Sequence, residues 1–300
     1  MHDHNHHHHH HHETATGKAL WWVLLLNLGF TIIEFVGGYF TGSIAIVSDA
    51  FHDLGDSLAI LGAIILERIA QRSSNNRYTY GYKRFSILSA LGISFILIAG
   101  SVYVVYNAIP RLINVEEVNS QGMLWLAVLG VAVNGAAAFK LLKGGKSLNQ
   151  RALMLHLLED CLGWVAVLVG AVVIHFTGYH IIDPILSLII AVYILINAFG
   201  SFKKALSIML QKAPSNINRD EVKAMLAKNA MVKDVHDLHI WTLDGEKNVA
   251  TLHVRLNGNY KLSEMSELKD ELRHSLSHKN VQHVTIEFDA EDADCELEDC

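Results

Sequence analysis

The chain has 300 residues, of which 51% are hydrophobic and only 18% charged, and its mean hydropathy is positive. Soluble proteins carry nearer ~25% charge, so this composition excludes an ordinary soluble two-domain protein and describes a membrane protein with a polar appendage. The net charge of −6 gathers its acidic residues at the C-terminus and its basic ones at loop ends, and no basic patch points to nucleic acid.

Residues 1–17 read as a disordered, His-rich tail. Residues 1–12 hold nine of the nineteen histidines, including the run His6 to His12. A purification tag is the plain reading, but the interruptions at Asp3 and Asn5 and the lack of a cleavage linker favour a native metal-gathering tail.

Six apolar stretches follow, near residues 18–40, 43–66, 85–109, 122–142, 152–176 and 184–202. Each is close to the ~20 residues that a helix needs to cross a bilayer, so residues 18–212 are expected to form a six-helix transmembrane domain. The first stretch is too long for a signal-peptide core and lacks a cleavage site, so it is expected to stay as an anchor. Lysines and arginines set the orientation. Arg68, Arg72, Arg77, Lys83 and Arg84 follow the second stretch, Lys140, Lys143, Lys146 and Arg151 the fourth, and Lys203, Lys204 and Lys212 the sixth, whereas the opposite connections hold only Arg111. Both termini are therefore expected in the cytoplasm, and the chain in the cell (inner) membrane. Asp183 is placed to cap the sixth helix, with Pro184 in its first turn.

Residues 213–290 follow a soluble pattern. Arg219 to Lys228 and residues 263–278 read as amphipathic helices; Val235 to Leu243, Asn248 to Leu256 and residues 283–289 read as strands, with the hairpin signal Asp244-Gly245 between the first two. The order αββαβ suggests a small open-faced sandwich with its helices on one face. Residues 291–300 form an acidic tail with Cys295 and Cys300. With Cys161 these are too few and too scattered for a disulfide framework, which suits a reducing compartment.

The polar groups inside the apolar stretches carry the chemistry. An aspartate at the centre of a span costs ~2.5–3.5 kcal/mol on insertion scales, so it needs a partner or a purpose. A lone buried histidine is usually a satisfied core residue. Here the same spacing occurs twice, His52 with Asp56 and His156 with Asp160, and on a helix each pair shares one face. Two such faces turned together offer two nitrogens and two oxygens, a tetrahedral set for a borderline-soft divalent cation, with zinc the first candidate. Asp49, one turn before His52, is placed to orient an imidazole or to pass protons. Asp53 and Glu159 are offset from these pairs, where structural pairing or water contact is at least as good a reading. Asn27, Glu34 and Asn134 either line a hydrated cavity or bond between helices.

The hairpin permits a second inference. If Asp244-Gly245 is a two-residue turn, Leu243 pairs with Glu246, and counting back sets His236 opposite His253, with Cβ atoms ~4.5–5.5 Å apart. Asp289 falls on the more polar face of the third strand. His236, His253 and Asp289 are thus a candidate metal site in the soluble domain.

These features together resemble the cation diffusion facilitator family in its zinc-transporting branch. The resemblance rests on Gly42-Ser43-Ile44-Ala45-Ile46-Val47-Ser48-Asp49-Ala50-Phe51-His52-Asp53-Leu54-Gly55-Asp56, Tyr78-Thr79-Tyr80-Gly81-Tyr82-Lys83-Arg84, Ser147-Leu148-Asn149 leading to His156 and Asp160, Asp183-Pro184, and Val235-His236-Asp237-Leu238-His239-Ile240-Trp241. It implies a homodimer with cytoplasmic metallochaperone-like (ferredoxin-like) domains that exports Zn²⁺ in exchange for protons, with Cd²⁺ or other divalent cations as further substrates. It also implies transport ligands at His52, Asp56, His156 and Asp160, a cytoplasmic site at His236, His253 and Asp289 that takes Zn²⁺ as a regulatory ligand, and a second cytoplasmic site from His283, Cys295 and Cys300. Two other classes fit the residues less well. An intramembrane zinc enzyme would keep one coordination position open for water, which four protein ligands do not leave. A membrane-anchored zinc sensor or store would leave the carboxylates inside the membrane unexplained.

Overall fold

The computed structural model describes residues 17–144 and 148–291. Six long helices come first: α1 (Gly17–Thr41), α2 (Ile44–Ala70), α3 (Arg84–Ile113), α4 (Ser120–Gly144), α5 (Leu148–Thr177) and α6 (Ile182–Met209). Then follow α7 (Arg219–Leu226), β1 (Val232–Thr242), β2 (Asn248–Leu256), α8 (Leu262–His278) and β3 (Val281–Asp289). The chain divides into two compact units. One is built from residues up to 68 and 92–201, the other from 69–91 and from 202 onward.

Among the described residues five helices, α1 and α3 to α6, are long and apolar enough to cross a membrane. α2 has 27 residues, ample length for a span, but Asp49, Asp53 and Asp56 break its apolar character. The first unit turns large apolar side chains outward, among them Leu26, Tyr106 and Phe176, and buries small and polar ones such as Thr31, Ser48 and Ser101. That inversion suits lipid as the surrounding solvent, where helices associate through small residues and hydrogen bonds. At Gly130 on α4 the indole of Trp164 on α5 fills the space where a side chain would stand: an added Cβ would lie 2.1 Å from it. Trp164 is itself 1% exposed, at the centre of an apolar cluster with Ala127, Val167 and Ala171.

The start of α2 departs from expectation in one respect. Asp183 is fully buried within the first turn of α6, yet its carboxylate does not cap that helix. It accepts the Ser43 hydroxyl and the backbone N–H groups of Ile44 (2.9 Å) and Ala45 (3.4 Å), the donors that α2 leaves open at its N-terminus. The predicted capping role survives, but on the neighbouring helix.

In the second unit a sheet of order β1-β2-β3 pairs β1 with β2 antiparallel and β2 with β3 parallel. Leu226 of α7 and Leu268, Leu272 and Leu276 of α8 pack with Leu238, Leu252 and Val254 of the strands into one buried core. Asn218 caps α7 by accepting the N–H groups of Asp220 and Glu221. The hairpin turn is wider than the two residues expected from sequence. Leu243 N–H donates to Lys247 O (2.9 Å), so Asp244, Gly245 and Glu246 form the loop, with Asp244 Oδ1 accepting the N–H groups of Glu246 and Lys247.

Candidate metal centres

In the first unit α2 carries His52 and Asp56 one turn apart, and α5 brings Asp160 against them. His52 Nε2 lies 3.4 Å from Asp160 Oδ1 and 3.8 Å from Asp56 Oδ2. One ligand atom from each of the three lies within 4.8 Å of the other two. A metal at ~2.0–2.2 Å from each donor spans at most ~4.4 Å, which covers the 3.4 and 3.8 Å separations from His52. His156 stands in α5 one turn before Asp160, and its side chain lies outside the described residues.

A cavity of about 210 Å³ opens beside the cluster, lined by Asp49, His52, Glu159, Asp160, Gly163 and Tyr193 among others. Asp49 is buried, its carboxylate resting over the bare Cα of Gly163. It therefore borders the cavity without belonging to the converging triad. Glu159 accepts the Tyr193 hydroxyl. Asp53 is also buried and is not one of the three converging ligands, and its stretch of α2 is tied to α1: Asn27 Nδ2 donates to Asp53 O (3.1 Å) and to Ser57 Oγ (3.0 Å). Asn27 thus bonds between helices. Glu34 on α1 is fully buried, with its carboxyl beside that of Asp53.

In the second unit His236 pairs directly with His253 across β1 and β2, the ring centroids 5.4 Å apart. That opposition arises from two departures that cancel. The three-residue loop shifts the pairing by one, so that Thr242 faces Asn248 and His239 faces Thr251; a bulge between His236 and His239 then shifts it back. Asp237, inside the bulge, takes the left-handed conformation with φ 44°. β3 supplies Asp289, whose Oδ2 lies 3.1 Å from His236 Nε2 and 3.4 Å from His253 Nδ1. One carboxylate oxygen thus faces a nitrogen of each imidazole, and all three side chains are close to buried at 11–14% exposed.

Sequence reasoning passed over Asp234. Its Oδ1 holds His236 Nδ1 at 2.9 Å while its Oδ2 meets Arg255 at 3.1 Å. A carboxylate on one ring nitrogen fixes the tautomer that leaves the other nitrogen's lone pair directed at the site. The available signal was the two-residue spacing of Asp234 and His236, which puts both on one face of a strand. Beyond His253, Asp237 and Glu287 stand 3.7 and 3.5 Å from Nε2. His283 is exposed, edge-on to Tyr80 with centroids 5.9 Å apart. It lies six positions from Asp289 on the same strand, about 20 Å away at ~3.3 Å per residue. Cys295 and Cys300, its proposed companions, lie outside the described residues.

Comparison with known proteins adds two kinds of finding. Residues 20–210 match the family model described as the cation efflux transmembrane domain, and residues 214–291 match that of the cation efflux protein cytoplasmic domain. Among similar chains, a cadmium, cobalt and zinc/H(+)-K(+) antiporter of Bacillus subtilis is 34% identical over 293 residues, covering 97% of this chain and 92% of the relative. The metal cation efflux system protein CzcD of Cupriavidus metallidurans is 36% identical over 279 residues, covering 92% and 87%. The zinc transporter ZitB of Escherichia coli is 32% identical over 304 aligned positions, covering 100% and 95%. With residues 20–210 and 214–291 matched by the two family models, and with histidine and carboxylate donors gathered in each unit, this chain belongs to the cation diffusion facilitator family of cation efflux proteins.

Proposed function

We propose that this cation efflux protein exports Zn²⁺ from the cytoplasm in exchange for protons, with both termini in the cytoplasm and His52, Asp56, His156 and Asp160 as transport ligands. The observation that carries the reading is the convergence of His52, Asp56 and Asp160 from two helices on one point beside a cavity. The relatives' names support zinc, with cadmium and cobalt as further substrates, and proton exchange. Four protein donors leave no coordination position for an attacking water, so the chemistry is binding and release rather than hydrolysis.

The exchange follows from what the donors require. Zinc binds neutral imidazole and ionised carboxylate, so metal and protons compete for the same atoms. Facing the cytoplasm, the site gives up protons and takes Zn²⁺; facing outward, protonation of His52 or His156 weakens the set and releases the ion. Imidazole suits this exchange because its unperturbed pKa, ~6.5, lies near working pH. Asp49, at the edge of the cavity, orients His52 or relays its proton. The proton gradient drives the cycle, and rearrangement of the helices supplies alternating access.

His236, His253 and Asp289 bind a regulatory Zn²⁺ in the soluble domain, and the chain acts as a homodimer, in keeping with a family model of that domain that is named for a dimer. Metal there shifts the population of protomer arrangements and is not itself transported. Zinc uptake into proteoliposomes under an imposed pH gradient tests the transport site. Asp160→Ala and His156→Ala are each expected to reduce uptake to the level of protein-free vesicles, and normal uptake by both would sink the assignment.

A further inference from the structure

The connection between α2 and α3 is an ordered structure. Asn75 Oδ1 accepts the backbone N–H groups of Arg77 and Tyr78, both at 2.9 Å, and its Nδ2 donates to the Tyr82 hydroxyl at 2.7 Å. The rings of Tyr78, Tyr82 and Phe85 pack against one another with centroids 4.4–6.0 Å apart. They line a cavity of about 350 Å³ whose lining also includes Arg77, Lys83 and Arg84.

The charges in this cavity are unequal. Lys83 is neutralised by Asp244, Nζ to Oδ2 2.8 Å. Among the described side chains, Arg77 and Arg84 have no carboxylate within ion-pair distance. Arg84 is also the first residue of α3, whose stretch Arg84–Ile113 is long and apolar enough to span, so Arg77 to Phe85 of the lining flank the start of that span in the sequence, where hydrocarbon is expected to give way to water. Aromatic side chains concentrate at that level. The α2–α3 connection is one of those rich in lysine and arginine, and on the orientation proposed above these face the cytoplasmic leaflet and its anionic lipids.

We propose that this cavity binds the phosphate-bearing headgroup of an anionic phospholipid. The planar guanidiniums of Arg77 and Arg84 match phosphate oxygens in pairs. The rings of Tyr78, Tyr82 and Phe85 pack along the glycerol and the first methylenes of the acyl chains. A free phosphate shares the headgroup chemistry but has nothing to lay against the aromatic wall.

The test uses the full chain in detergent micelles, with native mass spectrometry measuring retention of dioleoyl-phosphatidylglycerol against dioleoyl-phosphatidylcholine. The wild-type chain is expected to hold the anionic lipid more tightly. Arg77→Gln/Arg84→Gln is expected to weaken that binding roughly thirtyfold, at about 1 kcal/mol per charge, and to leave phosphatidylcholine unaffected. Arg68→Gln/Arg72→Gln removes the same charge outside the cavity and is expected to cost less than about threefold. Arg77→Lys/Arg84→Lys keeps the charge and tests folding, with binding expected between the two. Equal retention of the two lipids by the wild type, or equal losses from the two glutamine pairs, overturns the proposal. Displacement of the lipid by millimolar inorganic phosphate would mark a soluble-anion site instead, and would likewise overturn it.

Discussion

Asp237 shows how much a single backbone angle governs here. Its φ of 44° places it where L-residues other than Asn and Asp pay a steric penalty of ~1–2 kcal/mol, and its Oδ1 meets His239 Nε2 at 2.7 Å. Asp237→Ala is therefore expected to lower stability by about 1 kcal/mol more than Asp237→Asn, read as the difference in thermal unfolding of the full chain. The same residue shows where the sequence became illegible. His236 opposite His253 could be read from the hairpin, but through a two-residue turn that does not exist. Alternation of apolar and polar side chains carries no mark of a bulge, because the extra residue is held by a local torsion and a contact between neighbours. His52, Asp56 and Asp160 were easier to read, since a helix converts four-residue spacing into a shared face whatever surrounds it.

At the scale of elements, the clearest dependency is that of α2 on α6. Removing the Asp183 carboxylate leaves the Ser43 hydroxyl and two amide hydrogens without acceptors in the interior of the bundle, where each unsatisfied group costs ~1–3 kcal/mol. Asp183→Ala is expected to lower the unfolding temperature and zinc uptake together, because α2 positions His52 and Asp56; Asp183→Asn, which keeps an acceptor, is expected to retain part of both. The α4–α5 packing makes a separate claim. Gly130→Ala drives a methyl group into the Trp164 indole and is expected to cost ~1–3 kcal/mol in thermal unfolding, as overpacking does. The six helices were visible as apolar stretches, whereas their ends were not. The sixth stretch fades near residue 202, yet α6 runs to Met209, and the third stretch stops before Pro110, yet α3 runs through it to Ile113. Hydropathy reports which residues meet lipid, and a helix continues into water without changing its hydrogen bonds.

For the molecule as a whole, the link from Lys83 in the α2–α3 connection to Asp244 in the hairpin loop joins parts of the chain 161 positions apart. Burial raises the Asp244 pKa, but the Lys247 and Glu246 amide hydrogens and the Lys83 ammonium outweigh it and hold the carboxyl below its ordinary value. A carboxyl depressed on folding stabilises fully above its unfolded pKa, ~3.9, and loses that contribution as pH falls through the folded value. Thermal unfolding of wild type and Asp244→Asn is thus expected to differ most near neutral pH and to converge in acid. Equal separation at pH 3 and pH 7 would remove this carboxylate from the account.

Among the described residues, α2 is the one long helix not apolar enough to count as a span, because Asp49, Asp53 and Asp56 occupy its first half. Three aspartates at ~2.5–3.5 kcal/mol each on insertion scales leave this segment little tendency to enter a bilayer by itself. Its entry is then expected to be coupled to that of a neighbour, and α1, which precedes it and donates from Asn27 to the Asp53 carbonyl and the Ser57 hydroxyl, is the nearest candidate. The polar groups proposed to carry the ion would therefore also tie the insertion of α2 to that of its neighbour, and paired entry of α1 and α2 is the expected outcome.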